Sequence, residues 1–202
     1  MMAEFNVSRP TVREALRVAE SMGLISVRPG DPGGPKVLAN PAIGLRRLFS
    51  SLLQTGNAAA LDLLEMRVAL DSSAAALAAM QPKDRIAPAE EFLRRMRAAS
   101  DLHDFADLDV KFHESIIAAS GNRIFHVVFE SLDEPIRNLI ESRLKESGKQ
   151  SREVTLRQHK AILDAILSGS ARRAARAAGT HLRDFYSAAL TSQEKARMEA
   201  LL

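Results

Sequence analysis

Four residues far apart in the chain carry side chains able to clasp a metal ion: Asp109, His113, His159 and His181. Imidazole nitrogen and carboxylate oxygen suit zinc, nickel, manganese, iron or cobalt. The affinity order of divalent ions favours zinc or nickel over manganese. There is no cysteine, so thiolate ligands and disulfides are both excluded. One divalent ion held by nitrogen and oxygen, zinc or nickel first, is the expected cofactor.

The elements that must position these groups are helices. Asp109 and His113 stand four residues apart. On a helix that spacing puts both on one face, about 6 Å apart along the axis. Phe105, Phe112, Ile116 and Ile117 mark roughly the same side as apolar. The two polar groups therefore point inward, where a buried carboxylate and imidazole need a partner or a cation. His159 stands ten residues before Gly169 and His181 twelve after it. If Ser168-Gly169-Ser170 turns the chain between antiparallel helices, the two imidazoles lie at nearly one depth, offset by about 3 Å. Each sits on an apolar stripe, His159 with Ile162, Leu163 and Ile166, His181 with Ala174, Ala177, Ala178 and Phe185. His103, beside Asp101 and Asp104, and His126, after a turn, have no level-matched partner and read as structural or surface residues.

Length and composition set the frame. At 202 residues there is room for one full domain and a small one. A 46% hydrophobic and 26% charged content is that of a soluble globular protein, and the 4% aromatic content favours closely packed helices over sheet. The net charge of +3 permits a nucleic-acid partner without demanding one. No apolar run approaches the roughly 20 residues that span a bilayer, and no signal segment opens the chain. The expectation is a cytoplasmic protein with no membrane partner.

Helical patterns run at about 41–55, 61–80, 84–99, 103–119, 122–146, 151–168 and 170–190, with breaks at Gly56-Asn57, Gln81-Pro82, Ser100-Asp101, Gly121-Asn122, Ser147-Gly148 and Ser168-Gly169-Ser170. Residues 191–202 are polar and are expected to fray. The fold class is all-α: an antiparallel bundle of six or seven helices over 41–202, bounded at Asn40-Pro41 and preceded by a small domain over 1–40. In that small domain residues 8–22 are helical, with Val12, Ala15, Leu16, Ala19 and Met22 on one face. Ser8 caps this helix and Gly23 ends it. Residues 24–27 and 36–38 then form a hairpin around RPGDPGGP. Helix followed by hairpin is the order of a winged helix-turn-helix.

A helix that reads DNA needs an apolar docking face, short polar residues at its entry and arginines aimed outward. SRPTVREALR at 8–17 has all three. Ser8 and Thr11 can donate to phosphates or bases. Arg9 and Arg13 can grip guanine or phosphate, and Arg17 reaches the backbone. Gly30, at the hairpin tip, lets the chain approach phosphate closely.

SRPTVREALR, then ESMGLI, then VRPGDPGGPKV resembles the N-terminal domain of the GntR family of bacterial transcription regulators. The family's small domain has more helix ahead of this segment, whereas MMAEFNVS falls inside what resembles its second helix. The resemblance implies that roughly a third to a half of that domain is missing, a core too small to be more than marginal. Operator DNA binding is expected to be weakened accordingly. Asp-xxx-His, a histidine 46 residues later and another 22 later resemble the FCD effector domain of FadR-type GntR regulators, over residues 41–190. That resemblance implies a metal keeping open positions for water or a small carboxylate effector. It also implies that Arg67, in LLEMRVALD, faces the pocket; the alternative is a surface arginine near Glu65 and Asp71. Arg137 and Asn138 are further effector-binding candidates.

The expected function is a ligand-responsive transcription regulator, a homodimer on operator DNA, and not an enzyme. The alternatives are a metal-dependent hydrolase-type enzyme in a helical bundle, or a regulator for which the metal is itself the signal.

Overall fold

The computed structural model describes residues 2–28, 30–38, 40 and 42–202. Pro41, on which the boundary reading partly rests, lies outside them. A short α1 (Met2–Phe5) precedes α2 (Arg9–Ser21). β1 (Ile25–Ser26) and β2 (Lys36–Val37) then pair antiparallel, Ile25 opposite Val37. Ser8 caps α2 by accepting a hydrogen bond from the Thr11 amide. No residue of α2 is fully buried, although its apolar side is well formed.

Eight α-helices follow among the described residues: α3 (Ala42–Gln54), α4 (Ala60–Ala78), α5 (Ala87–Ala98), α6 (Leu102–Ala119), α7 (Arg123–Glu130), α8 (Asp133–Leu167), α9 (Ala171–Tyr186) and α10 (Ser192–Glu199). The core is built from α4, α5, α6, α8 and α9, with Phe105, Phe112, Phe129, Met96, Ile136, Ile140, Leu144 and Ile162 buried inside it. None of the described helices is long and apolar enough to cross a membrane.

Two sequence readings are corrected. The helix expected to end at Ser147-Gly148 instead breaks at Ser131-Leu132, and α8 runs unbroken through Gly148 for 35 residues. A single glycine costs a helix only about 1 kcal/mol, and Leu144 on one side and Thr155 on the other are both buried. Pro135 belongs in a first turn and marks the true start. Residues 191–202 do not fray. Thr191 and Glu194 close a reciprocal cap on α10, and Met198 is fully buried against Leu64, Val68, Leu182 and Tyr186.

Candidate metal centre

α6 starts where the Asp101 carboxylate accepts from the Asp104 amide at 2.8 Å. Its inner face carries Phe105, Phe112, Asp109 and His113, all buried. α8 and α9 reverse at Gly169, whose φ of +75° few other residues adopt. The reversal brings His159 and His181 to one level. Their Nε2 atoms lie 3.1 Å apart. Asp109 reaches His159 Nε2 at 3.5 Å and His113 Nε2 at 3.9 Å with its two oxygens. Each of the three histidines offers one nitrogen within 4.8 Å of the others. Phe112 stacks on His159 with ring centres 4.0 Å apart and planes 11° from parallel, which fixes the orientation of that imidazole.

Hydrogen bonds set the tautomers. His113 Nδ1 donates to Asp71 Oδ1 at 2.6 Å. His181 Nδ1 donates to Gln158 Oε1 at 2.9 Å, and Gln158 Nε2 in turn donates to Asp184 at 3.2 Å. With Nδ1 protonated, Nε2 of both rings turns a bare lone pair inward. His113 Nε2 is buried and has no hydrogen-bond partner. Two ligands about 2.1 Å from one ion and roughly 90–110° apart would lie about 3–3.4 Å from each other. The observed 3.1 Å falls in that range. His159 Nδ1 is likewise buried without a partner, and the donor set with the inward, orphaned Nε2 of His113 fits a divalent cation.

Electrostatics agree. Burial, then the neighbouring imidazoles and Arg67, push His159 and His181 well below the ordinary 6.5, so both are neutral. Burial also pushes the Asp109 carboxyl up, against the pull of His113 and Arg67. Asp71 goes the other way. Burial pushes it up, but Arg67 and His113 more than offset this and hold it below the usual carboxylate range. A pH dependence follows for the metal-free protein. Above 6.5 the two depressed histidines are neutral folded and unfolded, and they contribute nothing to the slope. Below it the unfolded chain takes up protons that the folded state refuses. Stability should fall by up to about 1.4 kcal/mol per pH unit for each histidine. Asp109, raised, acts with the opposite sign nearer its ordinary 3.8. Urea unfolding between pH 7.5 and 5.5 in a chelator checks this; a flat profile would contradict it.

Arg67 is 1% exposed and is no surface arginine. Its Nε lies 3.6 Å from Asp71, and its Nη1 donates to the Tyr186 hydroxyl at 3.3 Å. Neither Nε nor Nη2 has a hydrogen-bond acceptor. Glu65, the other acidic neighbour in sequence, pairs instead with Arg197. Burial, opposed by Arg67, pushes the Tyr186 hydroxyl up to about 12. Arg137 and Asn138 are not brought into this cluster. Arg137 pairs with Asp107 at 3.1 Å near the surface and Asn138 is exposed, because Ile136 and Ile140 take the inner face of that stretch of α8. His103 and His126 also lie outside, paired with Glu141 and Glu114. Sequence reasoning missed Asp71, Gln158 and Tyr186 as members of the site. A signal was available for Asp71: α4 is apolar nearly all round, so an Arg-xxx-Asp pair on it must be buried and mutually neutralising.

At the other end of the chain, Arg9, Arg13 and Arg17 are exposed on α2, Arg17 lying 3.4 Å from Glu14. The Ser8 and Thr11 hydroxyls bond to each other at 2.8 Å. Gly30 sits at the hairpin tip with φ +79° and open space around it.

Residues 62–184 match the FCD domain, and residues 1–32 match the bacterial regulatory proteins of the gntR family. The HTH-type transcriptional repressor NanR of Cronobacter sakazakii is 29% identical over 98% of this chain and 78% of its own. NanR of an Enterobacter species is 31% identical over 90% and 71%. Among solved structures, Streptococcus agalactiae GntR superposes with a TM-score of 0.74 at 24% identity, covering 93% of this chain and 85% of its own, a likeness of fold. FCD domains often bind a metal, and the three-histidine cluster could hold one. The chain belongs to the GntR family, as a transcription regulator with an FCD effector domain and not an enzyme.

Proposed function

We propose that the chain is a ligand-responsive regulator in which one divalent ion, zinc or nickel, is held by Asp109, His113, His159 and His181. A small carboxylic acid bound at that ion and at Arg67 is the signal. The effector unit spans 41–202 and the DNA-reading unit 1–40, where Ser8, Arg9, Thr11, Arg13, Arg17 and Gly30 meet operator DNA. The protein acts as a homodimer, since helix-turn-helix regulators read paired half-sites.

One observation carries the effector reading. Arg67 is a buried guanidinium with two nitrogens lacking acceptors, and one carboxylate, Asp71, joins it to the imidazole whose Nε2 is also unpartnered. Buried donors without acceptors are costly, and a carboxylate is the acceptor a guanidinium's fork fits. Asp71 and Tyr186 hold the guanidinium in place, leaving Nη2 for the anion. An ion bound here supplies a second anchor of positive charge for the same ligand. The relatives' description as transcriptional repressors supports a repressor whose grip on DNA the acid changes.

Calorimetry tests this. Lactate, malate and citrate are titrated into the zinc-loaded protein, the chelated protein and zinc-loaded Arg67→Lys. At least one acid should bind the first and none the second. For that acid, Arg67→Lys should weaken binding by tenfold or more, the effect of losing about 1.4 kcal/mol of forked hydrogen bonding. Equal binding with and without zinc would refute the reading.

A further inference from the structure

Two adjacent arginines of α3 hold two different parts of the chain. Consecutive helical residues point about 100° apart, and Arg46 and Arg47 use that difference. Arg46 Nη2 donates to the Glu130 carbonyl at 3.0 Å, where α7 ends, and lies 3.3 Å from Asp133, where α8 begins. Arg47 Nη1 donates to the Glu20 carbonyl in the last turn of α2 at 3.1 Å. Asn40 strengthens the first grip: its amide donates to the Glu130 carboxylate while its oxygen accepts from the Ala42 amide at 2.8 Å. Gly44 strengthens the second. A Cβ there would stand 2.3 Å from the Met22 carbonyl, so α3 abuts the end of the DNA-reading helix backbone to backbone. α3 is thus fastened to both units within a single turn.

α7 is fastened inward as well. Phe129, next to Glu130, is fully buried, and the Arg67 guanidinium carbon lies 5.9 Å from its ring centre. From Arg67 the contacts continue to Asp71 at 3.6 Å and from Asp71 to His113 at 2.6 Å. α7 has eight residues and is bounded by turns at Gly121-Asn122 and Ser131-Leu132. It can shift as a body without breaking the helices beside it.

We propose that α7 is the relay between the imidazole pocket and the DNA-reading helix, with Phe129 as its input and the Glu130 end, gripped by Arg46 and Asn40, as its output. The proposal rests on the pocket being the site of ion and acid binding. Ordering of His113 and Asp71 by a cation settles Arg67, Arg67 sets the tilt of Phe129, and Glu130 carries that tilt into α3. Arg47 and Gly44 deliver it to residues 20–23. Each link is a packed or hydrogen-bonded contact, which is what coupling between distant sites requires. A carboxylate drawn to Arg67 would act on the same link.

Hydrogen exchange of the full chain, with zinc and with chelator, separates the possibilities. In the natural sequence zinc should slow exchange at 109–113, 159 and 181, and also in α3 and at 20–26, the latter by about fivefold or more, the smallest coupling usually called allosteric. In Arg46→Met the histidine segments should still slow and zinc affinity should be unchanged, while α3 and 20–26 cease to respond. Exchange that slows at the histidines of the natural sequence but not in α3 overturns the relay. So does an Arg46→Met protein whose residues 20–26 respond in full. If zinc slows nothing at the histidine segments, the metal reading itself fails, and the relay with it.

Discussion

Arg67→Met should destabilise the protein by about 3–5 kcal/mol, the range for stripping one partner from a buried ion pair. The loss is far larger than the packing change, because methionine fills much of the same volume. What remains is the Asp71 carboxylate, 3% exposed, with its cation gone. Arg67 heads the forces that hold that carboxyl below its ordinary range. Without it burial prevails, the carboxyl rises, and neutralising it becomes the cheaper state. Part of the lost stability should therefore return as pH is lowered toward the carboxylate range. Arg67→Met with Asp71→Asn should recover a large fraction of the loss at pH 7, since no unpaired charge then stays inside. Urea unfolding of both variants decides. A loss under about 1 kcal/mol in the single variant would mean that the pair is solvated and worth no more than a surface ion pair.

Replacing His159 has the second large effect. His159→Asn removes the one imidazole that is 0% exposed, together with the ring stacked on Phe112. If it is a ligand, zinc affinity should fall by well over 100-fold, since removing even an outer partner of a ligating histidine costs about 10–100-fold. Gln158→Ala, which frees His181 Nδ1, should land within that smaller range. His103→Gln and His126→Gln should leave affinity unchanged, because both rings pair with glutamates away from the cluster. Competition against a chromophoric chelator measures all four on one scale. A His159→Asn protein that keeps zinc within a few-fold of the natural sequence would remove that residue from the ligand set.

The parts of this molecule visible in its sequence are those governed by local periodicity. Asp109 and His113 could be put on one face by counting four, and His159 and His181 could be levelled by counting outward from Gly169, because a helical hairpin with a tight turn has little freedom in depth. Arg137 and Asn138 show the limit of such counting. A helix was correctly read there, but which side faces inward depends on neighbours that a single sequence does not display. Gln158 was invisible for the same reason, since it becomes a histidine's partner only once α8 and α9 are packed, whereas the burial of Asp71 was legible in its Arg-xxx-Asp spacing on an apolar helix and only its histidine partner was not. Gly148 misled because a glycine is a local signal, and the contacts that carry α8 through it are not. In α10 the Thr-xx-Glu cap was present in the sequence, but the polar composition of the segment hid one buried methionine.

The chain contains one tyrosine and no tryptophan. That tyrosine is Tyr186, whose hydroxyl meets Arg67. Excited in the tyrosine band, beyond the absorption of its eight phenylalanines, this chain therefore emits from the wall of the candidate pocket. Occupancy by an acid or an ion becomes readable as a change in brightness of an unlabelled sample, and a library of metabolites can be screened by light alone, without operator DNA or a reporter strain.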